Sequence, residues 1–216
     1  MLVDDVIALV PSIPGRRSML GLAGPPAAGK STLARRLVAA VDARLGPGTA
    51  AYLPMDGFHL ANAQLDRLGL RDRKGAPETF DVDGYVQLLG RLRTERLRPV
   101  YAPDFDRALD EPVAAALVVP PGARLVVTEG NYLADPDPAW LPLRDLLDEI
   151  WYVDAPPRIR EERLVGRHVS GGRTREEALA FIASSERPNA RRVAAARPLC
   201  ARVISAEDEP ARSEPA

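Results

Sequence analysis

Residues 17–31 read Arg17-Ser18-Met19-Leu20-Gly21-Leu22-Ala23-Gly24-Pro25-Pro26-Ala27-Ala28-Gly29-Lys30-Ser31, an apolar run that breaks into glycine and proline and ends on Gly-Lys-Ser. Residues 17–23 have the composition of a buried strand. Residues 31–45 place Leu33, Leu37, Val38, Val41 and Leu45 on one helical face and Arg35, Arg36, Asp42 and Arg44 opposite, the pattern of an amphipathic helix. Between the two, Gly24-x-x-x-x-Gly29-Lys30-Ser31 is a complete phosphate-loop pattern in the strand–loop–helix context it requires. Successive N–H groups of such a loop converge on one anion, and the helix N-terminus adds a positive dipole end. Lys30 then reaches the β- and γ-phosphates and the Ser31 hydroxyl ligates Mg²⁺. An accidental match in a chain this long is expected about one time in a hundred. The segment Gly24, Pro25, Pro26, Ala27, Ala28, Gly29, Lys30, Ser31 and Thr32 is expected to hold a nucleoside triphosphate with Mg²⁺.

Working outward, residues 2–10 suggest a short helix stopped by Pro11 and Pro14. Residues 49–54, 123–128, 149–153 and 199–205 read as strands. Residues 83–96 read as a helix with Tyr85, Leu88, Leu89 and Leu92 inward, and residues 157–170 and 174–186 as helices separated by Gly171-Gly172. Strands alternating with helices predict an α/β fold, a three-layer αβα arrangement with a parallel sheet and helices on both faces. Ligands of such sheets bind beyond the carboxyl ends of the strands. No repeat or linker divides the chain, so residues 1–205 are expected to form one domain, with an acidic, proline-bearing disordered tail at 206–216. The proline pair at 156–157, the glycine pair and two arginines four apart suggest a small helical lid over 157–175.

At 216 residues the chain is long enough for a full core without staples. Twenty-nine basic residues against 30 acidic give a net charge of −1, which lacks the electrostatic footprint of a nucleic-acid binder. One cysteine and two histidines offer neither an intrachain disulfide nor a cysteine zinc cluster. No apolar run approaches the roughly 20 residues of a membrane span, and the acidic N-terminus is unlike a signal peptide, so a cytoplasmic protein without membrane insertion is expected. A homodimer is compatible with all of this. Of the 29 basic residues only Lys30 and Lys74 are lysines. Each is therefore a candidate for a role that a planar guanidinium cannot fill.

The second half of the chain narrows the class of nucleotide user. There is no lysine after residue 74 for a guanine-reading Asn-Lys-x-Asp, and no strand ends in the paired acids of motor-type ATPases. A phosphotransferase needs a carboxylate that takes the proton of an acceptor hydroxyl beside the γ-phosphate. Asp56, in Pro54-Met55-Asp56-Gly57-Phe58-His59, follows a predicted strand and so projects toward the same sheet edge as the phosphate loop.

The motifs GPPAAGKST, MDGFH, RKGAPETFDVDGY, VYAPDFDR, VVTEGNYL, RLVGRHVSGG and RPNARRV occur in this order over residues 17–205. In this the chain resembles the phosphoribulokinase, uridine kinase and pantothenate kinase superfamily of P-loop kinases, most of all its bacterial nucleoside/nucleotide-kinase-like branch labelled fructose-transport kinase. The first motif is generic; MDGFH followed at this distance by KGAPETFD is specific. The resemblance implies ATP and Mg²⁺ as cofactors, Asp56 as catalytic base and Glu129 as the acid that organises Mg²⁺. It implies Arg163 and Arg167 as lid arginines over the transferring phosphate and Asn189 in the segment near the adenine. It further implies that Lys74 borders the acceptor pocket and that His59 and Tyr85 line it.

The sequence departs from pantothenate kinases, which carry a tyrosine and a histidine at the positions of Phe105 and Arg107. Asp104 and Asp106 could instead accept hydrogen bonds from vicinal hydroxyls, with Arg107 holding an anionic group, which favours a sugar or phosphorylated polyol. Aromatic residues are only 5% of the chain, few for stacking a nucleobase. The expected partner is a small-molecule hydroxyl acceptor, most simply a sugar such as fructose. Two rival readings stand beside it: a nucleoside, ribosyl-cofactor or pantothenate-like kinase, and a regulatory P-loop ATPase accessory to a transporter.

Overall fold

The computed structural model describes residues 2–13 and 15–205. Pro14 and the expected disordered tail at 206–216 lie outside the described residues. In chain order the elements are α1 (Leu2–Ala8), β1 (Ser18–Ala23), α2 (Lys30–Leu45), β2 (Ala50–Pro54), a 3₁₀ turn (Met55–Phe58), α3 (Asn62–Leu68), α4 (Val82–Thr94), β3 (Val100–Asp106), β4 (Glu111–Val119), β5 (Leu125–Gly130), α5 (Leu143–Leu146), β6 (Glu149–Asp154), α6 (Pro157–Ser170), α7 (Arg175–Phe181), α8 (Arg187–Ala195) and β7 (Arg202–Ser205).

Five strands form a wholly parallel sheet in the order β2-β5-β1-β6-β7. Both faces are covered, so the strands read as nearly continuous apolar runs instead of alternating ones. The alternation still decides which core each side chain enters: Val126 joins Met19, Leu53, Tyr85 and Leu89 on one face, while Leu125 and Val127 join Leu20, Leu33, Leu37 and Val41 under α2 on the other. Each fully buried leucine of α2 contributes about 1.5–3 kcal/mol, which fixes the phosphate-loop helix against the sheet. Leu45, at the end of that apolar stripe, is exposed instead. The α4 helix begins where the Asp81 side chain accepts from the Gly84 N–H at 2.9 Å.

Two features were not expected. Residues 100–119 form an antiparallel hairpin, β3–β4, outside the main sheet. The helix expected to end at 186 continues through a π-helical turn at Ile182–Glu186 into α8. Pro188 cannot donate an N–H, and its ring crowds the carbonyl four residues back, so the wider turn is what lets the helix pass through it. Leu164, Val165 and Ile182 pack together with Ala27 beneath, forming a small satellite core that seats α6 on the phosphate loop. No helix among the described residues is long and apolar enough to cross a membrane.

Candidate active site

The carboxyl ends of β1, β2 and β5 meet at one edge, where a cavity of about 1130 Å³ opens. Its floor is the phosphate loop. Gly24, with φ 151°, passes so close to β6 that a Cβ would strike the Val153 carbonyl oxygen. Ala27 takes the left-handed conformation at φ 61°, uncommon for a side-chain-bearing residue, and Gly29 follows at φ 96° as the N-cap of α2. Pro26, Ala27, Gly29, Lys30, Ser31 and Thr32 line the cavity, with Gly24, Pro25 and Ala28 packed behind them.

Lys30 is buried. Its ammonium donates to the Pro25 carbonyl at 3.0 Å and to Asn131 Oδ1 at 2.8 Å. Burial lowers its pKa, against the opposing pull of Glu129 and Asp56. Glu129 ends β5 in register with Pro54 at the end of β2, which sets it beside the 3₁₀ turn carrying Asp56. It is buried, and burial with the charge of Asp56 pushes its pKa up. Lys30 and hydrogen bonds from Ser31 and Tyr52 act the other way. The Tyr52 hydroxyl donates to Glu129 Oε1 at 2.9 Å. Ser31 and Glu129 both line the cavity at the loop, the oxygen-donor chemistry that suits a hard cation such as Mg²⁺ beside a triphosphate.

Asp56 faces the cavity with its turn pinned from behind. The His59 N–H and the His59 Nδ1–H both donate to the Asp56 carbonyl, at 3.2 and 2.8 Å. Gly57 runs directly under Pro103 of β3, where a Cβ would collide with the Pro103 carbonyl. Because Nδ1 is a donor and burial lowers the pKa of His59, the ring is neutral with Nε2 as an acceptor. His59 stacks against Phe80 and Phe105, with ring centroids 4.0 and 5.0 Å away.

The hairpin and the helices after β6 close the other walls. Arg107 Nη2 lies 3.8 Å from Asp56 Oδ2. Lys74 donates to Asn62 Oδ1 at 2.7 Å, to Asp110 Oδ2 at 3.0 Å and to the Asp110 carbonyl, tying the hairpin tip to the segment after α3. Arg163 donates to the Ala27 carbonyl at 3.2 Å. Arg167 has its pKa lowered by burial and by the charge of Arg107. Behind it, His168 Nε2 is buried without a hydrogen bond, 3.5 Å from Glu186 Oε1, and Arg173 stacks on Phe181.

The structure therefore brings Lys30, Ser31, Asp56, His59, Lys74, Arg107, Glu129, Arg163 and Arg167 to one cavity. Several expected contacts are corrected. Tyr85 does not line the acceptor pocket: it is fully buried under the sheet, its hydroxyl 2.6 Å from Thr128 Oγ1. The Asp104 side chain accepts from its neighbour's N–H and pairs with Arg35 at 3.6 Å, away from the cavity. Asp106 caps the hairpin turn, accepting from the N–H groups of Ala108 and Leu109 at 2.8 and 3.1 Å. Asn189, expected in the segment near the adenine, stands next to the cavity wall, its amide pointing at the carbonyl of the lining residue Gly75, 3.5 Å away. Sequence reasoning missed Asn131, Tyr52, Asp110 and Glu186. Asn131 alone had a signal, directly following the strand-end Glu129-Gly130.

No family model matches the chain. YggC, an uncharacterised protein of Escherichia coli strain K12, is 42% identical over 199 residues, 89% of this chain and 79% of that one. The Schizosaccharomyces pombe protein named "Putative uridine kinase C227.14" is 36% identical over 170 residues, 76% of this chain and 72% of that one. A solved structure of a "putative fructose transport system kinase" from Silicibacter sp. TM1040 matches with a TM-score of 0.85 at 37% identity, over 94% of this chain and 97% of that chain.

Proposed function

The chain belongs to the superfamily of P-loop kinases that includes uridine kinases and pantothenate kinases, and from that premise we propose that it transfers the terminal phosphoryl group of ATP to a hydroxyl of a small, polyhydroxylated metabolite. The observation that carries this is the position of Asp56. Its carboxylate faces the phosphate-loop cavity beside Glu129 and opposite Lys30, at the edge where β2 and β5 end together.

In the reaction the acceptor oxygen bonds to the γ-phosphorus as the bond to the ADP oxygen breaks. The hydroxyl proton passes to Asp56. His59 Nε2 accepts a hydrogen bond from the acceptor and holds it against Asp56. Lys30, Arg163 and Arg167 stabilise the charge that spreads over the phosphoryl oxygens, a preorganised electrostatic contribution. Ser31 and Glu129 are the residues that would hold Mg²⁺, which neutralises phosphate charge when bound. The segment 157–175, α6 and the glycine pair that follows it, acts as a lid that keeps water from the phosphoryl group, with Gly171-Gly172 as its hinge.

A sugar-type acceptor is supported by the name of the Silicibacter relative, although the carboxylates of Asp104 and Asp106 are turned elsewhere. A regulatory ATPase needs only a positioned water, whereas here His59, Phe105 and Arg107 wall the part of the cavity that adjoins Asp56, room for an acceptor. The test is ADP release with Mg-ATP and a panel of hydroxylated metabolites, alongside Lys30→Ala. Acceptor-dependent turnover that vanishes in the variant, with its melting temperature kept, supports the kinase reading. Turnover unaffected by Lys30→Ala overturns it.

A further inference from the structure

Resting on that kinase reading, we propose that the acceptor carries an anionic group, a phosphate ester or a carboxylate on the same small molecule as the reacting hydroxyl, and that Arg107 is the residue that binds it. Seven arginine and lysine side chains line the cavity against four carboxylates. A magnesium-bound triphosphate offsets only about two of the three surplus charges, so a further negative charge is accommodated.

Most of these cations are committed elsewhere: Arg173 donates to His168 Nδ1 and lies over Phe181, Arg36 has an interaction of its own, and Arg167 lies on the lid helix α6, where it serves the transferring phosphoryl group. Lys74 is committed to Asp110 and Asn62, and Arg163 donates to the Ala27 carbonyl. Lys30 holds Pro25 and Asn131 at the phosphate loop. Among the described residues Arg107 donates no hydrogen bond at all, its one ion-pair partner being Asp56 at 3.8 Å. Its side chain is 55% exposed, on the tip of the hairpin, and lines the cavity together with His59 and Phe105. A planar fork of unspent donors facing a cavity suits a carboxylate or phosphate bound through two oxygens.

The neutral-sugar alternative has lost its structural support. The two carboxylates that would have read vicinal hydroxyls are used elsewhere, Asp104 with Arg35 of α2 and Asp106 with the N–H groups of the hairpin turn. The distance from Arg107 to Asp56 also limits the ligand. An anion hydrogen-bonded to Arg107 and a hydroxyl hydrogen-bonded to Asp56 lie at most roughly 9 Å apart, about the span of a six-carbon chain.

Matched pairs decide the matter: D-fructose against D-fructose 6-phosphate, and glycerol against D-glycerate, titrated by calorimetry into the wild-type chain with Mg²⁺ and a non-hydrolysable ATP analogue. At least one anionic member is expected to bind roughly 10- to 100-fold tighter than its neutral partner. The phosphate and carboxylate arms show which anion is preferred. Arg107→Gln is expected to remove that preference, and Arg107→Lys to restore part of it. The proposal is overturned if wild type shows no preference for either anion, or if Arg107→Gln leaves the preference intact. It is overturned too if, in turnover assays, Arg107→Gln lowers kcat equally for both members of a pair with KM unchanged, since Arg107 would then act on the transferring phosphoryl group. A chain that binds the nucleotide analogue but prefers neutral acceptors keeps the kinase reading and loses this one. Failure to bind the analogue would count against the kinase reading itself.

Discussion

Replacing Asp56 with asparagine separates chemistry from binding. The turn that carries Asp56 is held through its backbone, by two hydrogen bonds from His59 to the Asp56 carbonyl and by the contact of Gly57 with Pro103. The isosteric amide therefore sits where the carboxylate sat. What disappears is a proton acceptor and a loose ion pair with Arg107 at 3.8 Å, its side chains 55% and 31% exposed. Such a pair contributes at most about 1 kcal/mol to stability. Loss of a general base costs about 10²–10⁴ in rate, or roughly 2.7–5.4 kcal/mol in the barrier. The expected outcome is a kcat lower by that factor, a nucleotide dissociation constant within a few fold of wild type, and a melting temperature within a few degrees. Stopped-time ADP release, nucleotide calorimetry and thermal melting read the three quantities. If nucleotide affinity collapsed while turnover per bound complex stayed normal, Asp56 would be a structural or metal-organising group and the mechanism above would be wrong.

Two further outcomes follow from neighbours of the site. Tyr52→Phe removes a hydrogen bond that favours ionised Glu129, whose pKa burial already raises; losing that donor raises it further, so the acid limb of the kcat/KM profile should move to higher pH. An unchanged limb would show that Glu129 does not titrate in the reaction. Gly57→Ala drives a Cβ into the Pro103 carbonyl and must push the Asp56 turn away from the hairpin. It should lower kcat at least tenfold while nucleotide binding at Lys30 persists, as displacement of a reacting group by about 1 Å can cost 10²-fold. Wild-type turnover in that variant would show that the contact can relax freely.

The parts of this protein that could be read from sequence are those governed by local patterns. The strand–glycine–helix succession around Lys30 depends on period and turn chemistry alone, and the parallel sheet follows from alternation of elements. Asp56 was visible because it follows an apolar strand on the phosphate-loop edge, whereas the role of Glu129, near the end of another apolar strand, came from the family resemblance. The hairpin was not visible because β4 reads Glu-Pro-Val-Ala-Ala-Ala-Leu-Val-Val, with no period-two alternation, and its residues 113–116 are exposed. The failures at the acceptor end share that origin. Which way Asp104, Phe105, Asp106 and Arg107 point is set by the pleat and by a register shift between Ala102 and Asp104, and a one-residue slip exchanges the two faces. Without the hairpin, four adjacent polar and aromatic residues could not be sorted into wall and exterior. Tyr85 erred in a different way: its helical spacing already read as inward-facing core, and the pocket role came from the resemblance; its burial and its 2.6 Å contact with Thr128 bear out the spacing.

The Lys30–Glu129 pair indicates what this arrangement is selected for. A carboxyl whose folded pKa is raised contributes stability below its unfolded pKa and loses it as pH rises; an amine whose folded pKa is lowered contributes stability at high pH and loses it as pH falls. Near neutrality both groups, as burial shifts them, oppose folding. Their mutual attraction and the hydrogen bonds from Tyr52 and Ser31 recover part of this, and an apolar pair of similar volume would often stabilise the fold more. A sheet already packed on both faces gains nothing structural from charges at the ends of its central strands. Perturbed, buried, opposite charges at that edge are the arrangement a phosphoryl-transfer centre requires, because fields act strongly where water is excluded. The exposed, unspent guanidinium of Arg107 has the opposite character. It costs little to keep, and it stands where a ligand that arrives and leaves can reach it.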